Sequence, residues 1–293
     1  MKNSSHPPGF AFAGSPLDRR SGTRATAPLP QDPASRFVVM SADKAWTQNG
    51  AIRRLAHHEL PESQPECVFL GREADGTALF AVAALGDAPE GLADLRSLAV
   101  QGLLAPDELA ILAQARSFLL WHQRHRFCAQ CGAATQALDH GAKRHCAACG
   151  TEHFPRTDPV VILTVTHGDK LLLGRGLQFP EGLYSALAGF MEPGETIEEA
   201  AMRELWEETG IEAYDLRYVA SQPWPFPASL MIGLIGKARN ADIRIDPTEI
   251  ADARWFSKEQ AAALLAGNHP ENLIAPKPYA IAYHLVRAAL AGM

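Results

Sequence analysis

The stretch GFMEPGETIEEAAMRELWEETGI, residues 189–211, carries the signals of a helix whose two ends are marked. Thr196 and Glu199 have the spacing of a capping box, in which each side chain accepts a hydrogen bond from the other residue's backbone. Gly210 adopts the left-handed conformation at little cost, so the helix is expected to end there. The segment therefore predicts a loop followed by a capped helix.

Three carboxylates lie on one side of this predicted helix. Glu204, Glu207 and Glu208 are spaced i, i+3 and i+4, next to the apolar stripe that contains Leu205. Like charges one turn apart destabilise a helix by a few tenths of a kcal/mol per pair, and by more near an inward-facing stripe. Mg²⁺ and Mn²⁺ bind carboxylate oxygens and complete their shell with water and phosphate oxygens. The pattern thus predicts metal-dependent phosphate chemistry, and an ordinary solvated acidic helix is the alternative.

Runs of strand-forming residues surround this helix and extend toward the N-terminus. Residues 159–176 predict a β-hairpin, because two apolar runs flank a His-Gly-Asp turn, and residues 72–85, with an Asp-Gly turn before an apolar run, predict a second one. Residues 106–125 have helical spacing of apolar side chains. We therefore expect an α+β chain with four parts. These are a flexible lead-in (1–35), a small mixed α/β domain (36–125), a cysteine-containing segment (126–154) and a C-terminal α+β domain (155–293).

Four of the five cysteines form two Cys-x-x-Cys pairs, CAQC at 128–131 and CAAC at 146–149. Thiolates from two such turns can converge tetrahedrally on one Zn²⁺ and fill every position, which is typical of a structural site. The sequence therefore predicts a zinc ribbon with Cys128, Cys131, Cys146 and Cys149 as ligands. Two disulfides, a redox-active pair, or a ribbon that binds nucleic acid are the alternatives.

Composition excludes several classes of protein. The 293 residues are 47% hydrophobic and 20% charged with a net charge of −6, so a broad basic surface for nucleic acid is not expected. The chain has no run of roughly 20 apolar residues, and its first thirty residues lack the apolar core of a secretion signal. We expect a cytoplasmic protein, although the Arg-, Ser- and Pro-rich start leaves organelle targeting open.

The stretch SQPWPFPAS, residues 221–229, places rigid prolines around two large aromatic residues. Proline fixes φ and lowers the entropy lost on binding, so Trp224 and Phe226 could form a preformed wall around a flat ring. Gln222 and Ser229 could supply hydrogen bonds to the same ligand. A polyproline ligand for a partner domain, or a pair of ordinary core aromatics, is the alternative.

The stretch at 189–211 resembles the Nudix box, whose family hydrolyses nucleoside diphosphates linked to another moiety on a mixed β sandwich with helices outside. The resemblance covers residues 155 to about 290. The four-cysteine segment and SQPWPFPAS resemble features of the NADH pyrophosphatase branch of that family. The residues that match the box are Gly189, Glu195, Arg203, Glu204, Leu205, Glu207, Glu208, Gly210 and Ile211.

The resemblance implies roles for individual residues. Glu204, Glu207 and Glu208 would hold the catalytic metals with Glu249 and the Ala188 carbonyl. Glu195 would pair with Arg203 and fix the loop before the helix. Phe154 stands where the family often has tyrosine, and Phe190 could face a base. The implied substrate contacts are Arg96, Phe154, Phe190, Gln222, Pro223, Trp224, Pro225, Phe226, Pro227, Ala228, Ser229 and Ala275.

The implied activity is hydrolysis of the pyrophosphate bond of NADH or NAD⁺ to nicotinamide mononucleotide and AMP. It would use Mg²⁺ or Mn²⁺, with Glu207 or Glu208 as the base, a structural Zn²⁺ apart from the chemistry, and a homodimer. Removal of NAD caps from RNA by the same chemistry, or cleavage of a wider set of dinucleotides, is the alternative. A non-catalytic nucleotide-binding regulator is expected to lack the box carboxylates, which this chain retains.

Overall fold

The computed structural model describes residues 10–28, 30–60, 66–84 and 91–293. These residues form two compact units. The N-terminal unit contains Ala11–Thr157 and the short segment Trp224–Ala228, and the C-terminal unit contains Phe10, Asp158–Pro223 and Ser229–Met293. The cysteine segment therefore groups with the N-terminal unit, while the four boundaries expected from the sequence stay a prediction.

The N-terminal unit is built on a mixed sheet. Its elements in chain order are α1 (Ser21–Ala25), β1 (Arg36–Ser41), β2 (Lys44–Gln48), β3 (Ala51–Ile52), β4 (Leu55–Ala56), β5 (Val68–Arg72), β6 (Ala78–Ala83), β7 (Leu92–Asp94), α2 (Leu95–Val100), α3 (Pro106–Arg124), β8 (Gln136–Leu138), β9 (Lys143–His145) and β10 (Glu152–His153). The sheet order is β3-β2-β1-β6-β5, with β4 on β1 and β7 on β2, and β8 to β10 form a separate small sheet. The antiparallel pair β5 and β6 forms a hairpin that overlaps the predicted range of 72–85, but its first strand begins earlier, at Val68.

Helix α3 follows the apolar pattern that predicted it. Proline occupies its first position, where no backbone donor is needed, and Asp107 and Glu108 lie in the first turn, where the helix dipole favours negative charge. Ile111 and Leu112 are fully buried. The mixed sheet of this unit has its own core cluster, in which Phe80 stacks on Phe37 and meets Phe69 edge-on.

The flexible lead-in expected at 1–35 stays a prediction, but several of its described residues are packed; residues 1–9 and 29 lie outside the described chain. Phe12 and Leu17 are buried, and the backbone of Asp18 pairs with Arg72 at the end of β5. Gly71, at φ +147°, permits this approach, since a Cβ there would lie 2.7 Å from the Asp18 carbonyl oxygen. Glycines and prolines interrupt the spacing of these apolar residues, so no periodic pattern in the sequence predicted that they would be buried.

The C-terminal unit is a second mixed sheet with helices. Its elements are β11 (Asp158–His167), β12 (Lys170–Gly176), β13 (Leu187–Phe190), α4 (Ile197–Thr209), β14 (Ala213–Trp224), β15 (Ser229–Ala238), β16 (Ile250–Ser257), α5 (Lys258–Ala266) and α6 (Ile281–Gly292). The sheet order is β14-β15-β11-β12-β16, with β13 on β11. Strands β11 and β15 run parallel, and β11 and β12 form the predicted hairpin. The α+β class expected from the sequence is confirmed.

Helix α4 has the ends that the sequence marked. The Thr196 hydroxyl accepts from the Glu199 backbone at 3.2 Å, and the Glu199 carboxylate accepts from the Thr196 backbone at 2.7 Å. Gly210 closes the helix with φ at 69°. Leu205 is fully buried in the core of the unit, which fixes the rotation of α4 and therefore the direction of its carboxylates. None of the described helices combines the length and the apolar composition that a membrane span requires.

Candidate active site

The loop between β13 and α4 is held by one arginine. Arg203 donates to both carboxylate oxygens of Glu195, at 2.5 and 2.8 Å, and to the Phe190 carbonyl oxygen at 2.9 Å. Glu195 also accepts from the Glu192 backbone at 2.8 Å. The hydrogen bonds that Arg203 donates lower the pKa of Glu195 to about 2, and the same hydrogen bonds raise the pKa of Arg203. The structure therefore brings together the pair that the resemblance implied.

Glu204 lies against the backbone of β13. A Cβ at Gly189 would be 1.9 Å from both Cδ and Oε2 of Glu204, so any side chain at this position would displace the carboxylate. Burial raises the pKa of Glu204, while Arg203, which donates to it at 2.8 Å, opposes that shift. The glycine at the start of the box is thus a requirement for the placement of a carboxylate.

Glu208 is the most unusual carboxylate of α4. The residue is only 7% exposed, and its Oε2 is buried without a hydrogen-bond partner among the described residues. Burial raises the pKa of Glu208 to about 8, and the charges of Glu204, Glu249 and Glu207 add to the shift. Burying an ionised, unpaired carboxylate is strongly unfavourable, so this group needs a proton or a cation. Such an orphaned oxygen fits a divalent-cation ligand.

Of the other members of the proposed metal set, Glu207 lies on α4 itself, and Glu249 and Ala188 lie on other parts of the unit. Arg203 donates to Glu207 at 2.9 Å as well as to Glu204, so one guanidinium lies between these two carboxylates. Glu249 is exposed just before β16, and Ala188 is exposed on β13. The charges of these carboxylates act on Glu208, and their chemistry suits a hard cation such as Mg²⁺. Within the described chain, however, their oxygens do not form a group in which all atoms lie within 4.8 Å of one another.

The four cysteines form the cluster of His, Cys, Asp and Glu side chains that reaches metal-ligand spacing within the described chain. Their Sγ atoms all lie within 4.8 Å of one another, with 3.6 Å between Cys128 and Cys149 and 3.5 Å between Cys131 and Cys146. Zn–S bonds of about 2.3 Å place tetrahedral sulfurs roughly 3.8 Å apart. The five cysteines are all unbridged, which excludes the two-disulfide alternative in this structure. The site therefore fits zinc.

The aromatic loop, defined here as Trp224–Ala228, groups with the N-terminal unit. Strand β14, apart from its last residue Trp224, and strand β15 belong to the C-terminal unit. Trp224 and Phe226 meet edge-on with ring centroids 5.7 Å apart, and Phe12 meets each of them edge-on. Arg96, an exposed residue of α2, places its guanidinium 4.7 Å from the Phe226 ring centroid. The pair is therefore a fixed aromatic cluster with an arginine at its side.

The two polar residues of SQPWPFPAS that were expected to contact a ligand, Gln222 and Ser229, are both buried. Gln222 is fully buried; its amide donates to the Tyr279 carbonyl oxygen and accepts from the Ile281 backbone, both at 2.8 Å. Its amide group is thus used to hold the start of α6, which argues against the expected hydrogen bond to a ligand. Ser229 is 8% exposed at the first position of β15.

The remaining expected substrate contacts are placed as follows. Phe154 and Phe190 are exposed rings, at 64% and 58%. Pro223 and Pro227 are exposed, Pro225 is buried and Ala228 is half-buried. Ala275 is half-buried directly after Ile274, whose backbone pairs with Gly182 and Tyr184. Exposed aromatic rings of this size suit a ligand surface, but the substrate roles of these residues stay a prediction.

Sequence reasoning missed three residues that hold the aromatic loop: Phe12, Asp43 and Arg116. Arg116 is 6% exposed and donates to Asp43 and to the Pro225 and Pro227 carbonyl oxygens. A signal for Arg116 was present, because it lies four residues after Leu112 and three before Leu119 on the buried stripe of α3. An arginine at a core position of a helix needs buried partners.

Two family models and several known proteins match this chain in sequence. Residues 155–275 match the family model of the NUDIX domain, and residues 123–154 match the NADH pyrophosphatase zinc ribbon domain. The chain is 37% identical over 268 residues to NAD-capped RNA hydrolase NudC of Chromobacterium violaceum, covering 89% of this chain and 95% of that protein. It is 35% identical over 248 residues to NudC of Pseudomonas aeruginosa, covering 85% and 82%.

A human relative is also similar. The chain is 45% identical over 194 residues to NAD-capped RNA hydrolase NUDT12 of Homo sapiens, which covers 63% of this chain but 42% of the human protein. The chain thus spans less than half the length of that relative.

The C-terminal unit has a capped glutamate helix and a mixed sheet, and a four-cysteine ribbon precedes it in sequence. These features define the class of protein as a Nudix hydrolase fold with a zinc ribbon. The chain belongs to the Nudix family, in the branch that carries the NADH pyrophosphatase zinc ribbon. The resemblance inferred from the box, the cysteines and SQPWPFPAS is confirmed.

Proposed function

We propose that this protein hydrolyses the pyrophosphate bond of NADH or NAD⁺ to nicotinamide mononucleotide and AMP, with Mg²⁺ or Mn²⁺ as the catalytic metal. The observation that carries this proposal is the buried Oε2 of Glu208, which has no hydrogen-bond partner in the described part of the chain. Its neighbours are further carboxylates rather than lysines or arginines that could neutralise it. A cation with open positions for phosphate oxygens resolves this imbalance.

Glu204 and Glu208 would hold the cation, together with Glu207, Glu249 and the Ala188 carbonyl. When bound, such an ion neutralises a diphosphate and lowers the pKa of an attacking water. The chain's own contribution is orientation and proton transfer. Arg203 and Glu195 fix the loop that leads from β13 to α4, and Gly189 leaves the space in which the Glu204 carboxylate lies. Glu207 or Glu208 would accept the proton of the water.

The zinc site has a separate role in this proposal. Four cysteines supply a full tetrahedral shell, so no position is left for a substrate or a water. Cys128 and Cys146 are buried and Cys131 and Cys149 are exposed. The Zn²⁺ would therefore stabilise the ribbon and take no part in hydrolysis.

Removal of NAD caps from RNA is the second candidate activity, because the relatives from Chromobacterium violaceum and Homo sapiens carry the name NAD-capped RNA hydrolase. The bond cleaved would be the same pyrophosphate, so the same carboxylates would serve. The net charge of −6 indicates that a transcript would be contacted locally rather than across a broad basic surface.

We also propose a homodimer in the cytoplasm. The dimer is supported by the family resemblance alone, and light scattering of the purified protein would measure it. A reducing compartment is supported by the unbridged cysteines at zinc-ligand spacing, since thiolates must stay reduced to bind the metal.

The activity is tested by comparing the wild-type protein with Glu208→Gln on NADH, NAD⁺, ADP-ribose and NAD-capped RNA, with Mg²⁺ or Mn²⁺ present. We expect the wild type to release AMP or 5′-monophosphate RNA, and the variant to lose at least about 100-fold in kcat/KM. Glu198→Gln is the matched control, because Glu198 is an exposed carboxylate in the first turn of the same helix.

Equal rates for the wild type and Glu208→Gln on every substrate would overturn the assignment of the carboxylates. Faster release from ADP-ribose than from NADH would replace the dinucleotide specificity with a broader one. A high kcat/KM for NAD-capped RNA and a low one for free NADH would favour the cap as the substrate.

A further inference from the structure

The guanidinium of Arg116 connects helix α3 to the aromatic loop. Nη1 donates to the Pro225 and Pro227 carbonyl oxygens, the latter at 3.0 Å. Nε donates to Asp43 Oδ1 at 2.8 Å, and Nη2 donates to the same oxygen. The arginine side chain is 7% exposed and the Asp43 side chain 50% exposed. One buried cation thus receives its counter-charge from Asp43 and uses its Nη1 donors on the loop.

The composition of the loop explains why such a donor is needed. Prolines have no backbone N–H, so a segment that alternates proline with other residues has more acceptors than donors. Two of its carbonyls converge on Nη1 of one arginine. The planar fork of guanidinium can serve these carbonyls and a carboxylate at the same time, which the single ammonium of lysine cannot do in this geometry.

The same side chain also contacts the ring of the loop. The Arg116 guanidinium carbon lies 5.0 Å from the Phe226 ring centroid, and that of Arg96 lies 4.7 Å away. Phe12 adds an edge-on contact at 5.8 Å. Phe226 is therefore contacted from several sides. Its ring centroid also lies 5.7 Å from that of Trp224, so a displacement of Arg116 is expected to affect both rings.

We propose that Arg116, oriented by Asp43, is a positioning residue that holds the aromatic loop in the conformation that binds a flat ring of the dinucleotide substrate. The proposal rests on the proposed function, because it names the part of the chain that prepares the ring-binding surface. The loop is ordered before the substrate arrives, so less entropy is lost on binding. Loss of Arg116 is then expected to weaken substrate binding more than it slows the chemical step.

The test compares Arg116→Lys with the wild type in steady-state hydrolysis of NADH. We expect KM to rise about 10-fold, which corresponds to the ordering of one or two side chains, while kcat stays within about 3-fold. Arg124→Lys is the matched control, since Arg124 is an exposed arginine on the same helix, and it should keep the wild-type KM. The Mn²⁺ affinity of Arg116→Lys should equal that of the wild type.

Hydrogen exchange of peptides that span 221–229 gives a readout that does not depend on activity. Arg116→Lys should raise exchange there, while peptides from α4 keep their protection. Asp43→Asn removes only the charge of a half-exposed carboxylate and keeps the Arg116 guanidinium. It should raise KM and the exchange at 221–229 by smaller amounts than Arg116→Lys does. It is therefore the variant to use if Arg116→Lys does not fold.

Each outcome decides the proposal. A wild-type KM and wild-type exchange at 221–229 in both variants would overturn it, and so would a fall in kcat at unchanged KM. If the wild type does not hydrolyse NADH, the proposed function fails. Increased hydrogen exchange at 221–229 in Arg116→Lys would then still show that Arg116 holds the aromatic loop, and unchanged exchange would refute that role.

Discussion

Gly189 shows how one residue without a side chain determines the position of a reactive group. A methyl group at this position would overlap the Glu204 carboxylate, since Cβ would lie 1.9 Å from Cδ. We expect Gly189→Ala to displace Glu204 and to lower kcat/KM on the order of 100-fold, because a shift of about 1 Å in a catalytic group has effects of this size. Assays on NADH with Mn²⁺ would measure it.

Gly292→Ala is the matched control for this substitution, because a Cβ at Gly292, at the end of α6, meets no atom within 4 Å. Its rate should equal that of the wild type. Full activity of Gly189→Ala would show that Glu204 does not need its observed position.

Glu208 makes a prediction about stability and pH. Its ordinary pKa of 4.5 applies to the unfolded chain, and burial raises the pKa to about 8 in the folded, Mg²⁺- and Mn²⁺-free protein. A raised folded-state pKa contributes stability below pH 4.5, and this contribution is lost as the pH rises from 4.5 to about 8. Glu208→Gln has no such titration.

As the pH rises across that window, the free energy of unfolding of the variant should therefore increase relative to that of the wild type, by at most a few kcal/mol. Urea unfolding in buffers without Mg²⁺ or Mn²⁺ would measure the free energy of unfolding of both proteins. A constant difference between them from pH 4.5 to 8 would contradict the buried, unpaired state of Glu208.

At the scale of elements, local signals were sufficient where both ends of an element are encoded nearby. The limits of α4 follow from Thr196, Glu199 and Gly210, and the β11–β12 hairpin follows from its apolar runs and turn. The burial of Phe12 and Leu17 could not be predicted, since it depends on partners far along the chain, such as β5. Local patterns report local hydrogen bonding, whereas burial reports long-range packing.

The zinc ribbon gives the prediction for this scale. Removal of zinc with a strong chelator should raise hydrogen exchange in residues 123–154, because four thiolates without a cation no longer hold the two knuckles together. Peptides from β11 and α4 should stay protected, since their core lies within the C-terminal unit. Metal analysis should find about one zinc per chain before chelation.

Wild-type exchange in 123–154 after complete loss of zinc would contradict a structural role for the metal. Cys67→Ser is a suitable control, because Cys67 lies outside the four-cysteine cluster, and it should retain the zinc.

At the scale of the whole molecule, the two units are not consecutive in sequence. The aromatic loop leaves β14 and returns to β15, both in the C-terminal unit apart from Trp224, yet it packs within the N-terminal unit against Phe12 and Arg116. The sequence indicated that SQPWPFPAS is rigid and aromatic. It did not indicate which residues hold it, because these lie more than a hundred positions away.

The sequence by itself determined the family, the capped glutamate helix and the cysteine set, because each is encoded in short spacings whose chemistry is local. The tertiary structure decided which carboxylate is buried without a partner, why Gly189 must lack a side chain, and that Gln222 supports α6. It also decided that Arg116, paired with Asp43, donates hydrogen bonds to the aromatic loop. Burial and partnership depend on residues distant in sequence, so they are fixed only when the chain packs.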